Sequence, residues 1–217
     1  PPDPRPAPRL APFYPIVPDC GWLSRILSAG VETVQLRLKD ASPVRIAAEI
    51  AEAIALSRRH GATLIVNDYW QEAIRHGAAY IHLGQEDLAA ADVAAIKAAG
   101  ARLGISTHDE AELETALAAG PDYVALGPIY ETKLKAMRWA PQGLDRIRQW
   151  KARIGPMPLV AIGGITPDRA PGVMAAGADA CAVITDFITA TDPEARVRDW
   201  VAWSKAAAVS RGTARSG

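Results

Sequence analysis

Three polar side chains, two of them cationic, stand two residues apart in "VQLRLK", residues 34–39. Successive side chains of a strand face opposite ways, so Gln35, Arg37 and Lys39 share one face and Val34, Leu36 and Leu38 the other. Such a face looks either at water or into a site that needs positive charge. Arg offers a planar fork and Lys a point charge; with Lys135, in a later loop, they can surround an anion of more than one negative charge. Asp68 and Asp87 end two successive apolar runs. On neighbouring strands their carboxylates can share a hard cation such as Mg2+, which takes one or two carboxylates plus substrate phosphates; otherwise they are solvated loop acids. "GGIT" (163–166) opens a helix-like stretch and offers backbone N–H groups that suit a phosphate, with "AVIT" (182–185) beside it. The plainer reading is a glycine turn needed for packing. His82, between Ile81 and Leu83, has the setting of a satisfied core histidine; for His108, close to Ser106, either role is open. Trp139 reads as packing for its loop.

Something must bring these groups together. Short aliphatic runs recur at 13–17, 33–38, 63–68, 80–84, 102–107, 123–128, 159–164 and 180–186, as strands buried in a parallel sheet do. Helix-like stretches separate them. Residues 42–61 begin with Ser42-Pro43 and end at Gly61, 109–120 begin acidic and end in Gly, and 166–177 repeat the form. Residues 192–208 make a last helix with tryptophans packing inward. Eight strand-helix units fit a single-domain (β/α)8 TIM barrel of the α/β class better than an open doubly wound sheet. In such a barrel the site forms at the C-terminal ends of the strands, and the polar residues cluster there: 35–39, Asn67-Asp68, "GQED" (84–87), Ser106 to His108, the loop 130–143, 163–166 and Thr185-Asp186.

The barrel is expected over residues 13–208, between a proline-rich tail (1–12) and a flexible C-terminal tail (209–217). The chain has 217 residues, 49% of them hydrophobic, with 24 Lys plus Arg balancing 24 Asp plus Glu. No net field draws it to nucleic acid or a membrane surface. Two cysteines, in no metal-ligand spacing, suit a reducing, cytoplasmic setting, and no apolar run approaches the roughly 20 residues of a spanning helix. The chain opens on proline, so a start further upstream is expected.

"QLRLK", "NDYWQEAIRHGAAYIHLGQEDL", "GISTH", "LGPIYETKLKAMRWAPQGL" and "VAIGGIT" closely resemble, in order and spacing, the motifs of the thiamine-phosphate synthase family from about Phe13 to Thr185. The resemblance implies a Mg2+-dependent transferase that joins hydroxymethylpyrimidine diphosphate to hydroxyethylthiazole phosphate and releases pyrophosphate. By the same resemblance Asp68 and Asp87 bind Mg2+; Arg37, Lys39, Asn67, Ser106 and Lys135 hold the diphosphate; and Gln35 contacts the pyrimidine. Thr132, Gly164, Ile184 and Thr185 bind the thiazole phosphate. The catalytic residues are then Arg37, Lys39 and Lys135, neutralising a leaving diphosphate. Partners are these small molecules, with no nucleic acid and no membrane; a homo-oligomer is left open.

The chain departs from the family pattern at Leu38, where glutamate is usual, and at Leu134, where the loop motif usually carries a second threonine. By alternation Leu38 points to the helix layer, so altered packing is expected there and one lost hydroxyl contact at Leu134. Thiazole tautomerases, a sister group, are associated with a histidine soon after the sixth strand, where this chain has Gly127-Pro128. A non-catalytic phosphate-binding barrel would have no use for the acids and cations at strands two to four.

Overall fold

Local sequence sets both ends of the helix over Pro43–His60. Ser42 accepts the amide of Arg45, Pro43 takes the first helical position, and Gly61 closes the helix with φ 67°. A left-handed residue is needed there to return the last amides to the carbonyls of Ser57 and Arg58, and glycine adopts it without a Cβ penalty. Asp109 caps a later helix in the same way, accepting the Glu112 amide at 2.9 Å.

The computed structural model describes residues 8–132 and 139–214, with side chains to residue 210. Among them are β1 (Phe13–Val17), α1 (Cys20–Leu27), β2 (Thr33–Leu36), α2 (Pro43–His60), β3 (Thr63–Asn67), α3 (Trp70–Arg75), β4 (Tyr80–Leu83), α4 (Gln85–Ala90) and α5 (Val93–Ala98). There follow β5 (Arg102–Thr107), α6 (Glu110–Ala118), β6 (Tyr123–Leu126), α7 (Gly143–Ile154), β7 (Leu159–Ile162), α8 (Ala170–Ala175), β8 (Ala180–Val183), α9 (Thr185–Ile188) and α10 (Pro193–Ala214). The strands pair in parallel in chain order and β8 closes on β1, so the expected (β/α)8 barrel is what forms.

Alternation along each strand sorts the residues into two cores. Val34, Leu36 and Leu38 of the β2 segment join the layer between barrel and helices, with Phe13, Val66, Ile81 and Trp200. Tyr14, Ile16, Ile65, Tyr123, Ala125 and Val160 fill the barrel itself. Leu38 therefore does pack toward the helices, and Gln35 faces the interior.

The two barrel ends differ in chemistry. At the N-terminal end Asp122 accepts the amide of Leu103 and pairs with Arg102 at 2.8 Å. Asp179 does the same for Leu159 and Lys151, also at 2.8 Å. These acids tie strand starts together, a stabilising role that leaves the opposite rim for the site.

Three boundaries differ from expectation. Asp87 does not end a strand: Gly84 caps α4 and Asp87 lies in its first turn. Residues 167–169 form a turn, so α8 starts only at Ala170 and "GGIT" is a loop that precedes it. At the C-terminus α10 runs past 208 to Ala214, inside the expected tail, because no proline interrupts it and Gly212 alone costs about 1 kcal/mol in a helix. No helix among the described residues is long and apolar enough to cross a membrane.

Candidate active site

β2 delivers its polar face where alternation put it. Gln35 lies deepest, 3% exposed, with its amide nitrogen on the Tyr14 hydroxyl at 2.8 Å. Arg37 and Lys39 emerge at the rim, and the Arg37 amide still bonds Val17 O at 2.9 Å, which keeps the strand direction past the end of β2. Lys39 Nζ stands 3.9 Å from Asp68 Oδ2.

Asn67 ends β3, buried, in register with His82 of β4. The next residue, Asp68, takes φ 67° while its amide bonds His82 O at 2.9 Å. A left-handed non-glycine residue is unusual, and Asp is among the few that tolerate it. The turn swings the Asp68 carboxyl against Asp87. Burial and the negative charge of Asp87 raise the Asp68 pKa from 3.8 to about 6, against the pull of Lys39 and Arg37. Four charged groups from β2, β3 and α4 thus meet at one point of the rim.

The acid pair is chemically suited to a metal. Among the described residues no three His, Cys, Asp or Glu side chains gather as a cluster, so any ion there has two protein carboxylates and must draw its remaining ligands elsewhere. Mg2+ binds in that way, keeping waters and sharing substrate phosphate oxygens. Two carboxylates forced together without a cation cost stability, which yields a prediction. The folded pKa of Asp68, about 6, exceeds its ordinary 3.8, so stability is lost as pH rises between these values and stays lost above them. Asp68→Asn is therefore expected to raise the melting temperature in EDTA at pH 8 by about 2–4 °C, equivalent to about 1 kcal/mol in a domain of this size. The gain should vanish below about pH 4, and millimolar Mg2+ should stabilise the wild-type chain but not the variant, as thermal scans with and without the ion will read.

Ser106, half-buried at the end of β5, bonds His82 Nε2 through its hydroxyl at 2.8 Å and accepts Gln85 Nε2 on its carbonyl at 2.8 Å. His82 Nδ1 meets the Tyr123 hydroxyl at 2.9 Å. His82 is thus a satisfied interior histidine, as expected, and one bonded to a candidate site residue. Burial, with Arg37 adding to it, holds its pKa down to about 4. His108 is occupied otherwise: Nδ1 bonds Glu112 at 2.7 Å, and the ring stacks on Trp139 with centroids 5.5 Å apart. Trp139 thus packs on His108.

The second half of the rim is built on backbone turns after β7 and β8. Gly163 and Gly164 turn with φ 108° and 63°. A Cβ on Gly164 would meet Glu131 O at 2.5 Å, so only glycine lets this loop lie against the segment after β6. Arg169, which the sequence did not single out, holds the turn from outside, donating to Gly164 O at 2.7 Å and stacking over Tyr130 at 4.5 Å. Ile184 and Thr185 begin α9 on the neighbouring β8. Among the described residues the amides of Gly164 and Thr185, on segments that follow the adjacent strands β7 and β8, donate to no backbone carbonyl. Thr132 is half-buried at the edge of the described loop; Lys135 and Leu134 lie outside the described residues.

The sequence model of the thiamine monophosphate synthase family matches residues 14–187. The chain belongs to this family. Among members of the thiamine monophosphate synthase family, a thiamine-phosphate synthase of Rhizobium etli is 57% identical over 194 residues, 89% of this chain and 95% of that one. One of Escherichia coli is 49% identical over 191 residues, 88% and 90% of the two chains. The solved structure of a thiamine phosphate pyrophosphorylase from Pyrococcus furiosus superposes with a TM-score of 0.77 at 26% identity, covering 89% of this chain and 95% of that one. Every candidate site residue from Gln35 to Thr185 falls within the span that the family matches.

Proposed function

We propose that the chain is a thiamine-phosphate synthase, a transferase of thiamine biosynthesis that joins hydroxymethylpyrimidine diphosphate to hydroxyethylthiazole phosphate with release of pyrophosphate. The observation that carries this reading is the convergence of Arg37, Lys39, Asp68 and Asp87 at one end of a barrel, with the backbone amides of Gly164 and Thr185 left without carbonyl partners, among the described residues, after β7 and β8. A diphosphate and a monophosphate need two such unlike sites.

Each residue has a task in that reaction. Arg37 and Lys39, with Lys135, neutralise charge as it grows on the departing diphosphate, and Asn67 and Ser106 orient its oxygens. Gln35, deep in the barrel, meets the pyrimidine. Gly164, Ile184, Thr185 and Thr132 hold the thiazole phosphate. Asp68 and Asp87 would hold Mg2+, which when bound supplies further neutralisation of the diphosphate oxygens. The electron-rich aminopyrimidine supports a benzylic-type cation once the diphosphate leaves, and the thiazole nitrogen, held close, captures it before water does. Catalysis is then electrostatic and positional, with no protein nucleophile or general base. His82, neutral and bonded at both ring nitrogens, fits this division of labour. Cys20 and Cys181, both buried, suit a reducing cytoplasm.

Asp87→Ala tests the metal half. It is expected to lower kcat by at least about 100-fold and to flatten the Mg2+ dependence, read as pyrophosphate release over a Mg2+ titration. A variant with undiminished rate would remove Asp87 from the metal site.

A further inference from the structure

Five side chains from five strands form one continuous line of hydrogen bonds through the barrel interior. Gln35 Nε2 donates to the Tyr14 hydroxyl at 2.8 Å, and that hydroxyl lies 3.0 Å from the hydroxyl of Tyr123. The Tyr123 hydroxyl lies 2.9 Å from His82 Nδ1, and His82 Nε2 lies 2.8 Å from Ser106 Oγ. Tyr14, Tyr123, His82 and Gln35 are all buried, so no bulk water can replace a missing link.

Such a line has a direction. A tyrosine hydroxyl and a neutral imidazole each carry one proton to donate, and these groups are buried, so only links that all point the same way leave every proton with a partner. With Gln35 donating at one end, Tyr14 donates to Tyr123, Tyr123 to His82 Nδ1, and His82 from Nε2 to Ser106. The carbonyl oxygen of Gln35 is then the end left over, and the Ser106 hydroxyl, having accepted, keeps its own proton to give. Among the described residues neither the Gln35 oxygen nor Ser106 Oγ has a second side-chain partner. Reversing the line turns the Gln35 amide round, so that it shows N–H donors at one end while Ser106 shows lone pairs at the other.

We propose that this line of hydrogen bonds is a specificity device: Tyr14, Tyr123 and His82 are positioning residues that hold Gln35 with its oxygen toward the ligand and Ser106 with its proton toward the ligand, selecting a heteroaromatic ring that carries an exocyclic amino group together with an anionic substituent. The assignment rests on the function proposed above. A ring with an oxo group in place of the amino group would bring a second acceptor against the Gln35 oxygen. Turning the amide to suit it would reverse every link and set Ser106 lone pairs against the diphosphate. Both ends of the substrate are thereby checked by one coupled element, and sites built on paired donors and acceptors reject mismatched analogues by large factors.

Two measurements on the full chain test this. In 15N-histidine NMR, with the His82 signals assigned by their loss in His82→Asn, the ring is expected to be neutral with its proton on Nε2 and a bare Nδ1. A proton on Nδ1 overturns the proposed direction, whatever the enzyme's activity. The second is kinetic, using Tyr123→Phe, which keeps the ring and its packing and removes only the hydroxyl. The wild-type kcat/KM for the aminopyrimidine diphosphate is expected to exceed that for the oxo analogue by at least about 100-fold, and the variant should narrow this ratio by about tenfold. A variant slowed equally on both compounds would assign Tyr123 a packing role and overturn the inference while leaving the proposed function intact. A wild-type chain with no turnover of the aminopyrimidine diphosphate would overturn the function, and the specificity claim with it.

Discussion

Arg37→Ala is expected to lower kcat/KM for the pyrimidine diphosphate about 1,000-fold, equivalent to about 4 kcal/mol of transition-state stabilisation. Its side chain is exposed at the rim, so its removal leaves no cavity and the melting temperature should change little. The loss should fall on chemistry for two reasons. Arg37 acts on both Asp68 and His82 through its charge, which places it beside the acid pair and the Ser106 end of the interior network. Its fork can also follow charge spreading over a leaving diphosphate in a way that a single hydroxyl or amide cannot. Arg37→Lys should recover part of the rate, since it restores the charge and lacks the fork. The KM for the thiazole phosphate should stay within about twofold in both variants, because that ligand is assigned to the separate segments after β7 and β8. Steady-state kinetics with each substrate varied in turn will separate the two. A loss shared equally between the substrates would contradict the division of the rim into a diphosphate half and a monophosphate half.

The second large effect is expected far from any charge. Gly104 lies on the inward face of β5, directly beneath the Tyr123 ring: a Cβ there would fall inside contact distance of Cζ, Cε1 and the hydroxyl. The collision is with a fully buried ring, not with the free end of a flexible chain, so relief requires moving Tyr123 or the strand. Gly104→Ala should therefore cost about 1–3 kcal/mol or more, a fall in melting temperature of about 3–10 °C. Displacement of Tyr123 also breaks its bonds to Tyr14 and His82, so activity should drop with stability. Thermal scans and steady-state rates on the same preparation will show both. A variant as stable as the parent would mean that the interior is less tightly packed around Tyr123 than the structure shows.

Much of the architecture is readable one residue at a time. Parallel barrel strands must be apolar on both faces, so they stand out as short aliphatic runs, and helix ends such as Ser42-Pro43 and Gly61 are marked by residues suited to few other places. The β2 alternation predicted the directions of Gln35, Arg37 and Leu38 because a strand has only two sides. What the sequence could not show depends on distance across the barrel. Tyr14 in "FYPIV" and Tyr123 in "YVALG" look like ordinary core aromatics; only closure of the sheet brings their hydroxyls to 3.0 Å and joins them to His82. His82 was readable as a satisfied histidine, whereas the identity of its partners was not. Likewise "GQED" carries an acid after an apolar run whether it is a loop or a helical turn, and the carboxyl contact with Asp68 follows from the latter. Arg169 escaped notice because its contacts are to a carbonyl and a ring outside any motif.

Pyrophosphate release by the wild-type chain, with hydroxymethylpyrimidine diphosphate and hydroxyethylthiazole phosphate together, tests the central claim most directly. Run in millimolar Mg2+ and again in EDTA, it is expected to show pyrophosphate and thiamine phosphate appearing in equal amounts with the metal and a rate at least about 100-fold lower without it. No pyrophosphate from the complete mixture with Mg2+ would contradict the account.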